Sequence, residues 1–292
     1  MVMPMTFLAV DWGTTNRRVF RVDGGAVVAS ERDNKGAASM KPADYLAEVA
    51  GIRARMGDLP MLLAGMVGST IGWREVPYVA APAGIAALAD GLDWIDERTA
   101  IVPGVAMRDP ASPDVMRGEE VQLLGAVDAG LVPRDALLCQ PGTHCKWVWM
   151  ENGRIARFTT AITGELFALL RGYGILAHQL TGAVTAGDAF RDGVRRGAAR
   201  DLAAALFGIR AAKVLGYRDD ADAASHASGL LIGADVAARL DQSRGTHVHI
   251  LADPTLGTLY ASAIDTLGGS SALVDSRQAF VAGITRIQEH HA

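Results

Sequence analysis

The sequence predicts an α/β protein of two domains, and three observations carry that expectation. Strand-like apolar runs alternate with segments of helical spacing along the chain. A motif near the N-terminus returns near the middle. The chain has 292 residues, half of them hydrophobic, and at about 150 residues per domain that is material for two cores.

Taken in order, Thr6–Val10 is an apolar run that stops at Asp11-Trp12-Gly13, a strand entering a turn. Arg17–Val22 and Ala26–Ser30 read as two further strands joined at Asp23-Gly24-Gly25. Tyr45, Leu46, Val49 and Ile52 recur at helical spacing after Pro42, which suits a first helical turn. Met61–Ala64 is a short buried strand running into a loop that holds Gly65, Gly68, Ser69, Gly72 and Trp73. Thr99–Val102 is another strand, and Val121, Leu124 and Val127 mark one face of a helix from Glu119. Val248–Leu251 is a strand followed by the amphipathic helix of Leu256, Leu259, Tyr260, Ala263 and Ile264. The turn between them, Ala252-Asp253-Pro254-Thr255, stands where α/β proteins often bind ligands.

Charge and composition exclude several functions. Lys+Arg number 28 against 32 Asp+Glu, a net charge of −4, with no basic cluster to hold nucleic acid. Cys139 and Cys145 are too few for a disulfide framework and lack zinc-ligand spacing. No apolar run approaches the ~20 residues that span a bilayer. The segment before Asp11 has no basic stretch and is too short for a signal peptide. The expectation is a cytoplasmic protein acting on a small molecule, with no nucleic-acid or membrane partner; a homodimer is compatible with it.

The repeat is the most informative feature. Displacing the chain by 129 positions, the offset of Gln140 from Asp11, lays Asp11-Trp12-Gly13-Thr14 over Gln140-Pro141-Gly142-Thr143. Arg17 then meets Lys146, Val19 meets Val148, Phe20 meets Trp149, and Asp23-Gly24 meets Asn152-Gly153. A Gly-Thr turn between strands offers backbone N–H groups and a hydroxyl to an anion, as in a phosphate nest. Two such turns facing one cleft would hold the phosphates of a nucleotide from both sides. In this alignment the first copy carries Asp11, able to bind Mg²⁺ directly or through water. The second carries Gln140, limited to hydrogen bonds.

Other motifs are weaker. The chain contains no Gly-Lys pair, which excludes a P-loop. Gly172-Tyr173-Gly174 fits a dinucleotide fingerprint by letter but follows a helical run, Glu165–Leu170, instead of a strand. His247 and His249 alternate on a strand and read as surface, not metal ligands. Glu119 and Glu120 open a helix beside Arg117; acids there suit the helix dipole, which favours their ionised form, and either could serve as a general base. Neighbouring helix residues point about 100° apart, so one of the two can face an acceptor hydroxyl; Glu119 is slightly preferred. Thr163 is placed to cap the helix that Gly164 and Glu165 open, a helix start able to bind an anion or hydroxyl. Gly229, Gly233 and Ala237 form a small-residue stripe, for helix-to-sheet packing or for backbone access to a ligand.

Asp-Trp-Gly-Thr-Thr-Asn-x-Arg at 11–18 resembles the first phosphate motif of the sugar kinase/Hsp70/actin superfamily. The strings at 65–69, 72–73, 116–120, 141–147, 163–166 and 228–234 resemble the 2-dehydro-3-deoxygalactonokinase family over about residues 5–285. Pro-Gly-Thr-His-Cys-Lys-Trp and Met-Arg-Gly-Glu-Glu are the most specific of them. The resemblance implies a two-domain actin-like fold, a duplicated ribonuclease H-like unit with ATP in the interdomain cleft. It implies an N-terminal domain over 1–130 on the substrate side and a C-terminal domain over 131–292 on the nucleotide side, the last helix packing back on the first. It also implies ATP- and Mg²⁺-dependent phosphorylation of the 6-hydroxyl of 2-dehydro-3-deoxy-D-galactonate, in galactonate breakdown.

On that resemblance Asp11 would hold Mg²⁺ and, with Glu119 or Glu120, make up the catalytic group. Gly13, Thr14, Thr15, Gly142, Thr143, Lys146 and Gly233 would bind the nucleotide. Asn16, Arg18, Ser69, Trp73, Arg117 and Glu165 would bind the sugar acid, with Arg18 and Arg117 as partners for its carboxylate. One departure stands out. Family members usually carry a small Gly-Ser-like turn where this chain has Ala252-Asp253-Pro254; the extra carboxylate either faces the adenosine or points to solvent. Two rival readings remain: a kinase of another small acid or sugar, and a non-enzymatic nucleotide-gated binding protein. A sugar-acid-stimulated turnover of ATP separates the last from a kinase.

Overall fold

The computed structural model describes residues 6–243 and 245–291. Its contacts divide the chain into two units, the first running to Asp135 with Trp149–Phe158 and the segment from Ser276, the second comprising Ala136–Val148 and Thr159–Asp275. Among the described residues no helix is long and apolar enough to cross a membrane.

The first unit begins with β1 (Thr6–Trp12), β2 (Arg17–Asp23) and β3 (Ala26–Asp33), then α1 (Tyr45–Met56) and β4 (Met61–Gly65). β5 (Val79–Ala80), α2 (Ile85–Asp90), β6 (Asp93–Asp96), β7 (Thr99–Ile101), β8 (Val105–Met107), β9 (Asp114–Met116) and α3 (Glu119–Asp128) follow. The main sheet has the order β3-β2-β1-β4-β7-β6, and β5-β8-β9 form a small one. β1 pairs antiparallel with β2 but parallel with β4. Phe7 to Val10 are all buried, the continuous apolar run of a strand covered on both faces. Tyr45, Val49, Ile52 and Met56 are the buried residues of α1 and join Leu8, Val10 and Leu63 in one core cluster. Leu46, expected on this stripe, is exposed; the helix is rotated so that Met56 completes the face.

The second unit is built on β10 (Ala136–Gln140), β11 (Cys145–Glu151), β12 (Arg154–Ala161), α4 (Thr163–Gly172), α5 (Asp188–Gly197), α6 (Leu202–Val214), α7 (Asp220–Leu240), β13 (His247–Leu251), α8 (Pro254–Thr266) and β14 (Ser270–Val274), except that the β11–β12 hairpin over Trp149–Phe158 is grouped with the first. Its sheet runs β12-β11-β10-β13-β14, with β10, β13 and β14 parallel. The same arrangement thus occurs twice: a three-strand meander whose first strand is flanked on its other side by a parallel strand. The tight turns also match, with positive φ at Gly24 and Gly25 and again at Asn152 and Gly153, the signature of a type I′ hairpin.

The structure corrects the alignment by one residue. Arg17 and Cys145 open the second strands of the two copies, and Ala26 and Arg154 the third, each pair 128 positions apart. Matching the letters Gly-Thr forces an offset of 129, whereas the strand ends and the hairpin turns agree at 128. In the structural register Asp11 corresponds to Cys139, Arg18 to Lys146 and Thr14 to Gly142.

Helix contacts account for three of the glycines. A Cβ on Gly229 would lie 2.1 Å from the Phe190 carbonyl oxygen, and one on Gly233 2.4 Å from that of Val194. The small-residue stripe of α7 is therefore a helix-to-helix seam with α5, not a sheet contact, and packing fills the side-chain position of Gly233. In the first unit α9 (Ser276–His291) packs on α3 the same way: a Cβ on Gly283 would sit 2.0 Å from the Val121 oxygen. Gly283→Ala should accordingly destabilise by about 3 kcal/mol, because two backbones must separate. Gly208→Ala, inside α6 with nothing near its would-be Cβ, should stabilise by about 0.5–1 kcal/mol. Denaturant midpoints of the two variants check the contrast.

Candidate active site

In the first unit the sheet delivers its polar groups to the C-terminal ends of β1 and β4, where open α/β sheets place their sites. Asp11 pairs across the ladder with Arg18, and their side chains lie 3.9 Å apart. Burial pushes the Asp11 carboxyl up to about 6, against the pull of Arg18 and with a further push from the charge of Glu119. Asp11, Arg18 and Glu119 therefore share one electrostatic neighbourhood.

The turn after β1 spans Gly13 to Asn16. The Gly13 amide donates to the Asn16 carbonyl at 2.9 Å, and Asn16 Nδ2 donates to Thr15 Oγ1 at 3.0 Å. Thr14 and Thr15 are exposed at the tip. The carbonyls of Gly13 and Thr14 accept from the amides of Ala37 and Ala38 at 2.9 and 3.0 Å. Gly36 makes this docking feasible, since a Cβ there would fall 2.3 Å from the Thr14 oxygen. Below the turn Arg17, only 1% exposed, stacks over Trp12 and pairs with Asp33 and Glu48 at 2.5 and 2.9 Å. The sequence reading missed Gly36 and Arg17.

Gly118 precedes α3 with φ +105°, a left-handed conformation that glycine adopts without strain. Its amide donates to both oxygens of Glu120, at 2.8 and 2.7 Å. Glu120 is fully buried; burial, then the nearby Glu119 charge, pushes its carboxyl up to about 8. The helix start was expected to keep both acids ionised, and for Glu120 burial outweighs the dipole. Glu119 is half-buried and accepts the Arg117 amide at 3.1 Å. Arg117 is buried, stacked on Tyr78 with Nη2 donating to the Val76 carbonyl at 2.6 Å, while its Nε and Nη1 have no hydrogen-bond partner. Ser69 is buried and donates to the Met66 carbonyl at 2.7 Å, and Trp73 stacks on Tyr45. Both side chains are anchored in the wall of the loop after β4.

The second unit repeats the turn without a counterpart of the accessible Asp11–Arg18 pair. Gly142 and Thr143 lie between β10 and β11, and α4 docks on them: the Glu165 amide donates to the Thr143 carbonyl at 2.9 Å. A Cβ on Gly164 would fall 2.3 Å from the Gly142 oxygen. Gly36 and Gly164 therefore perform the same docking on equivalent residues and are themselves 128 positions apart. Cys139, at the place of Asp11, is buried and neutral beside Cys145, with the sulfurs 3.7 Å apart. Lys146, read as a nucleotide ligand, is 5% exposed and donates to Thr160 on β12 at 2.8 Å, so its ammonium is held within the sheet. His144, at the turn itself, meets Glu165 at 2.8 Å, both half-exposed; Glu165 thus belongs to the second turn.

Thr163 is not the cap of α4. It is the first helical residue, and its hydroxyl donates to Asp235 of α7 at 3.0 Å. Asp235 also accepts from Trp147 Nε1 at 3.0 Å and from the Tyr260 hydroxyl at 3.3 Å. Burial raises its carboxyl, opposed by the bonds from Trp147 and Thr163. Beside this cluster is a cavity lined by Gly142, Thr163, Gly164, Leu231, Leu256 and Tyr260, among others. Asp253 does not enter it: its carboxylate caps α8, accepting the amides of Thr255 and Leu256 at 3.0 and 3.3 Å. His247 and His249 touch each other on β13, and no cluster of three metal-ligating side chains occurs among the described residues.

Comparisons with known proteins place the chain in a family. The family model for 2-keto-3-deoxy-galactonokinase matches residues 11–287. A 2-dehydro-3-deoxygalactonokinase of Escherichia coli (strain K12) is 35% identical, over 98% of both chains. A probable 2-dehydro-3-deoxygalactonokinase of Rhizobium meliloti (strain 1021) is 37% identical, over 96% of this chain and 95% of the relative. A crystal structure from Sinorhizobium meliloti ascribed to the same kinase superposes with a TM-score of 0.89 at 36% identity, covering 97% of this chain and 96% of the other. The fold is the actin-like one of sugar kinases, and a match of this extent makes the chain a member of the 2-keto-3-deoxy-galactonokinase family.

Proposed function

We propose that the chain transfers the γ-phosphoryl group of ATP to the 6-hydroxyl of 2-dehydro-3-deoxy-D-galactonate, as part of galactonate breakdown. The names of its relatives supply the substrate, and the state of Arg117 supports it. A buried guanidinium with unpaired Nε and Nη1 is costly, and a substrate carboxylate provides the missing acceptors. Arg18, partly exposed beside Asp11, is the second cation for the acid. Ser69, Trp73 and Asn16 complete the sugar side.

The transfer asks for positioning and charge neutralisation more than covalent chemistry. Glu119 takes the proton of the acceptor hydroxyl: it is reachable, whereas Glu120 is sealed against the Gly118 amide. Each unit's turn offers amides and hydroxyls to phosphate oxygens, Thr14 and Thr15 in the first and Gly142 and Thr143 in the second, and the cavity beside α4, α7 and α8 takes the nucleoside. The donor set fits Mg²⁺, which keeps most of its waters and binds through one or two carboxylates and the substrate phosphates instead of a protein cage. Asp11 would hold it, and it would supply charge neutralisation at the phosphates. Glu165 leaves the sugar-binding set for the phosphate turn with His144, and Lys146 and Gly233 leave the nucleotide set for internal packing.

The direct test is turnover of ATP and Mg²⁺ by the purified protein. The specificity constant for 2-dehydro-3-deoxy-D-galactonate should exceed those for neutral hexoses; equal use of glucose would remove the role of the arginines. ATP hydrolysis that no sugar acid accelerates would instead mark a nucleotide-gated binding protein.

The two adjacent acids should separate cleanly. Glu119→Gln should lower kcat by about 10²–10⁴-fold with nucleotide binding retained, and Glu120→Gln should keep most of it. Asp11→Asn should lower turnover and metal-dependent nucleotide use together. Near-normal kcat in a folded Glu119→Gln protein would place the base elsewhere.

Glu120 also carries a pH signature. Its folded pKa of about 8 lies above the usual carboxylate value, so the folded state binds the proton more tightly. That contribution is fully present below the unfolded pKa, near 4–5, and is lost as pH rises through about 8. The Tm of Glu120→Gln relative to the parent should therefore rise between pH 6 and pH 9. A difference that stays constant or falls contradicts the buried, proton-retaining carboxyl.

A further inference from the structure

Asp235 lies in the interior of the second unit, and no step of the proposed reaction uses it. A buried carboxylate is costly unless its oxygens are hydrogen-bonded, and an apolar residue of similar size would often serve stability as well or better. This one accepts from three neutral donors on three different elements, Trp147 of β11, Thr163 of α4 and Tyr260 of α8, and the Arg239 guanidinium, one turn on in α7, lies 3.9 Å away. Thr163 and Tyr260 also line the cavity beside the second turn. Trp147 lies four residues beyond Thr143 on the strand that leaves that turn. Gly164, next to Thr163, rests directly on the Gly142 carbonyl. A displacement of Thr163 is therefore passed through one peptide to the backbone of the turn.

We infer that Asp235 is a positioning residue for nucleotide binding, fixing through Thr163 the start of α4 against the Gly142–Thr143 turn and through Tyr260 the opposite wall of the cavity. The inference rests on the proposed function, in which this turn and cavity take the nucleotide. Its specific content is that the carboxylate and the Thr163 hydroxyl act as one unit and act on ATP alone. The groups assigned to proton removal and to the sugar acid are all in the first unit, with no bond to Asp235.

The test uses the full chain with Thr163→Val, Thr163→Ser, Asp235→Asn and the double variant Asp235→Asn/Thr163→Val. ATP binding in the presence of Mg²⁺ is measured by calorimetry, alongside KM for each substrate and kcat. Thr163→Val should weaken ATP binding and raise KM for ATP by about tenfold, the effect of one lost hydrogen bond to a charged group. Its kcat at saturating ATP and its KM for the sugar acid should stay within about twofold. Thr163→Ser should restore binding, and the double variant should bind no more weakly than Asp235→Asn alone.

Thr163→Val that binds ATP like the parent, or losses that multiply in the double variant, would overturn the inference. So would an equal fall in all kinetic constants, which marks general structural support. Should Asp235→Asn fail to fold, the Val and Ser variants at 163 decide alone. A parent protein that does not bind ATP overturns the function and this inference with it; a parent that binds ATP while Thr163→Val matches it overturns the inference only.

Discussion

The structure depends on how each Gly-Thr turn satisfies its own backbone. A turn at the end of a buried strand presents carbonyls and amides that must find partners. In both units a following segment docks on the turn and occupies its carbonyl oxygens, residues 36–38 on the first and the start of α4 on the second. The contact is backbone on backbone and needs a glycine, Gly36 in one copy and Gly164 in the other. With carbonyl oxygens engaged, the remaining polarity of the turn is that of its amides, the sign an anion requires. The docking glycine stands 22 residues downstream of the residue it rests on in each copy (36 − 14 and 164 − 142), beyond the reach of the motif's own letters.

That constraint explains which parts of the site the sequence disclosed. The meander, its type I′ turns and the helix from Glu119 are local, and spacing and turn chemistry located them. The register of the repeat was misread by one residue because two letters, Gly and Thr, agreed at 129 while the chain geometry agrees at 128. The same slip set Gln140 against Asp11 and hid the equivalence of Gly36 and Gly164. Thr163 looked like a cap because Thr before Gly-Glu fits the capping pattern. Its hydroxyl turns away because a buried carboxylate 72 residues later needs a donor, a tertiary demand with no local trace. Leu46 and Glu120 show the same limit from the side of helix phase: periodicity finds a face, but the sheet decides which residue completes it.

The second limit concerns charge. From the sequence several charged residues near the motifs, among them Lys146, Glu120 and Asp253, stand as possible ligands. Burial sorts them. Arg17 is consumed by Asp33 and Glu48 beneath the first turn, Lys146 by its own sheet, Asp253 by the helix it caps and Glu120 by the Gly118 amide. Arg18, Glu119 and Asp11 retain access, and Arg117 retains unpaired nitrogens. The candidate site is what remains after structural hydrogen bonds have taken their share.

Equivalent positions of the two copies then show how a duplicated unit divides its work. Where the first has Asp11 and Arg18 as an accessible pair of opposite charges, the second has Cys139 and Lys146, both buried. Charged groups act on a ligand only where they can reach it, and at these positions only the first copy keeps such groups. The second copy invests polar side chains inward, in the Asp235 cluster, where Thr163 adjoins the glycine that docks on the turn. Phosphoryl transfer asks for both kinds of surface, one that exchanges a proton and neutralises charge and one that holds the phosphates still. The two copies of the meander keep the docking glycine in each and the charged pair in one.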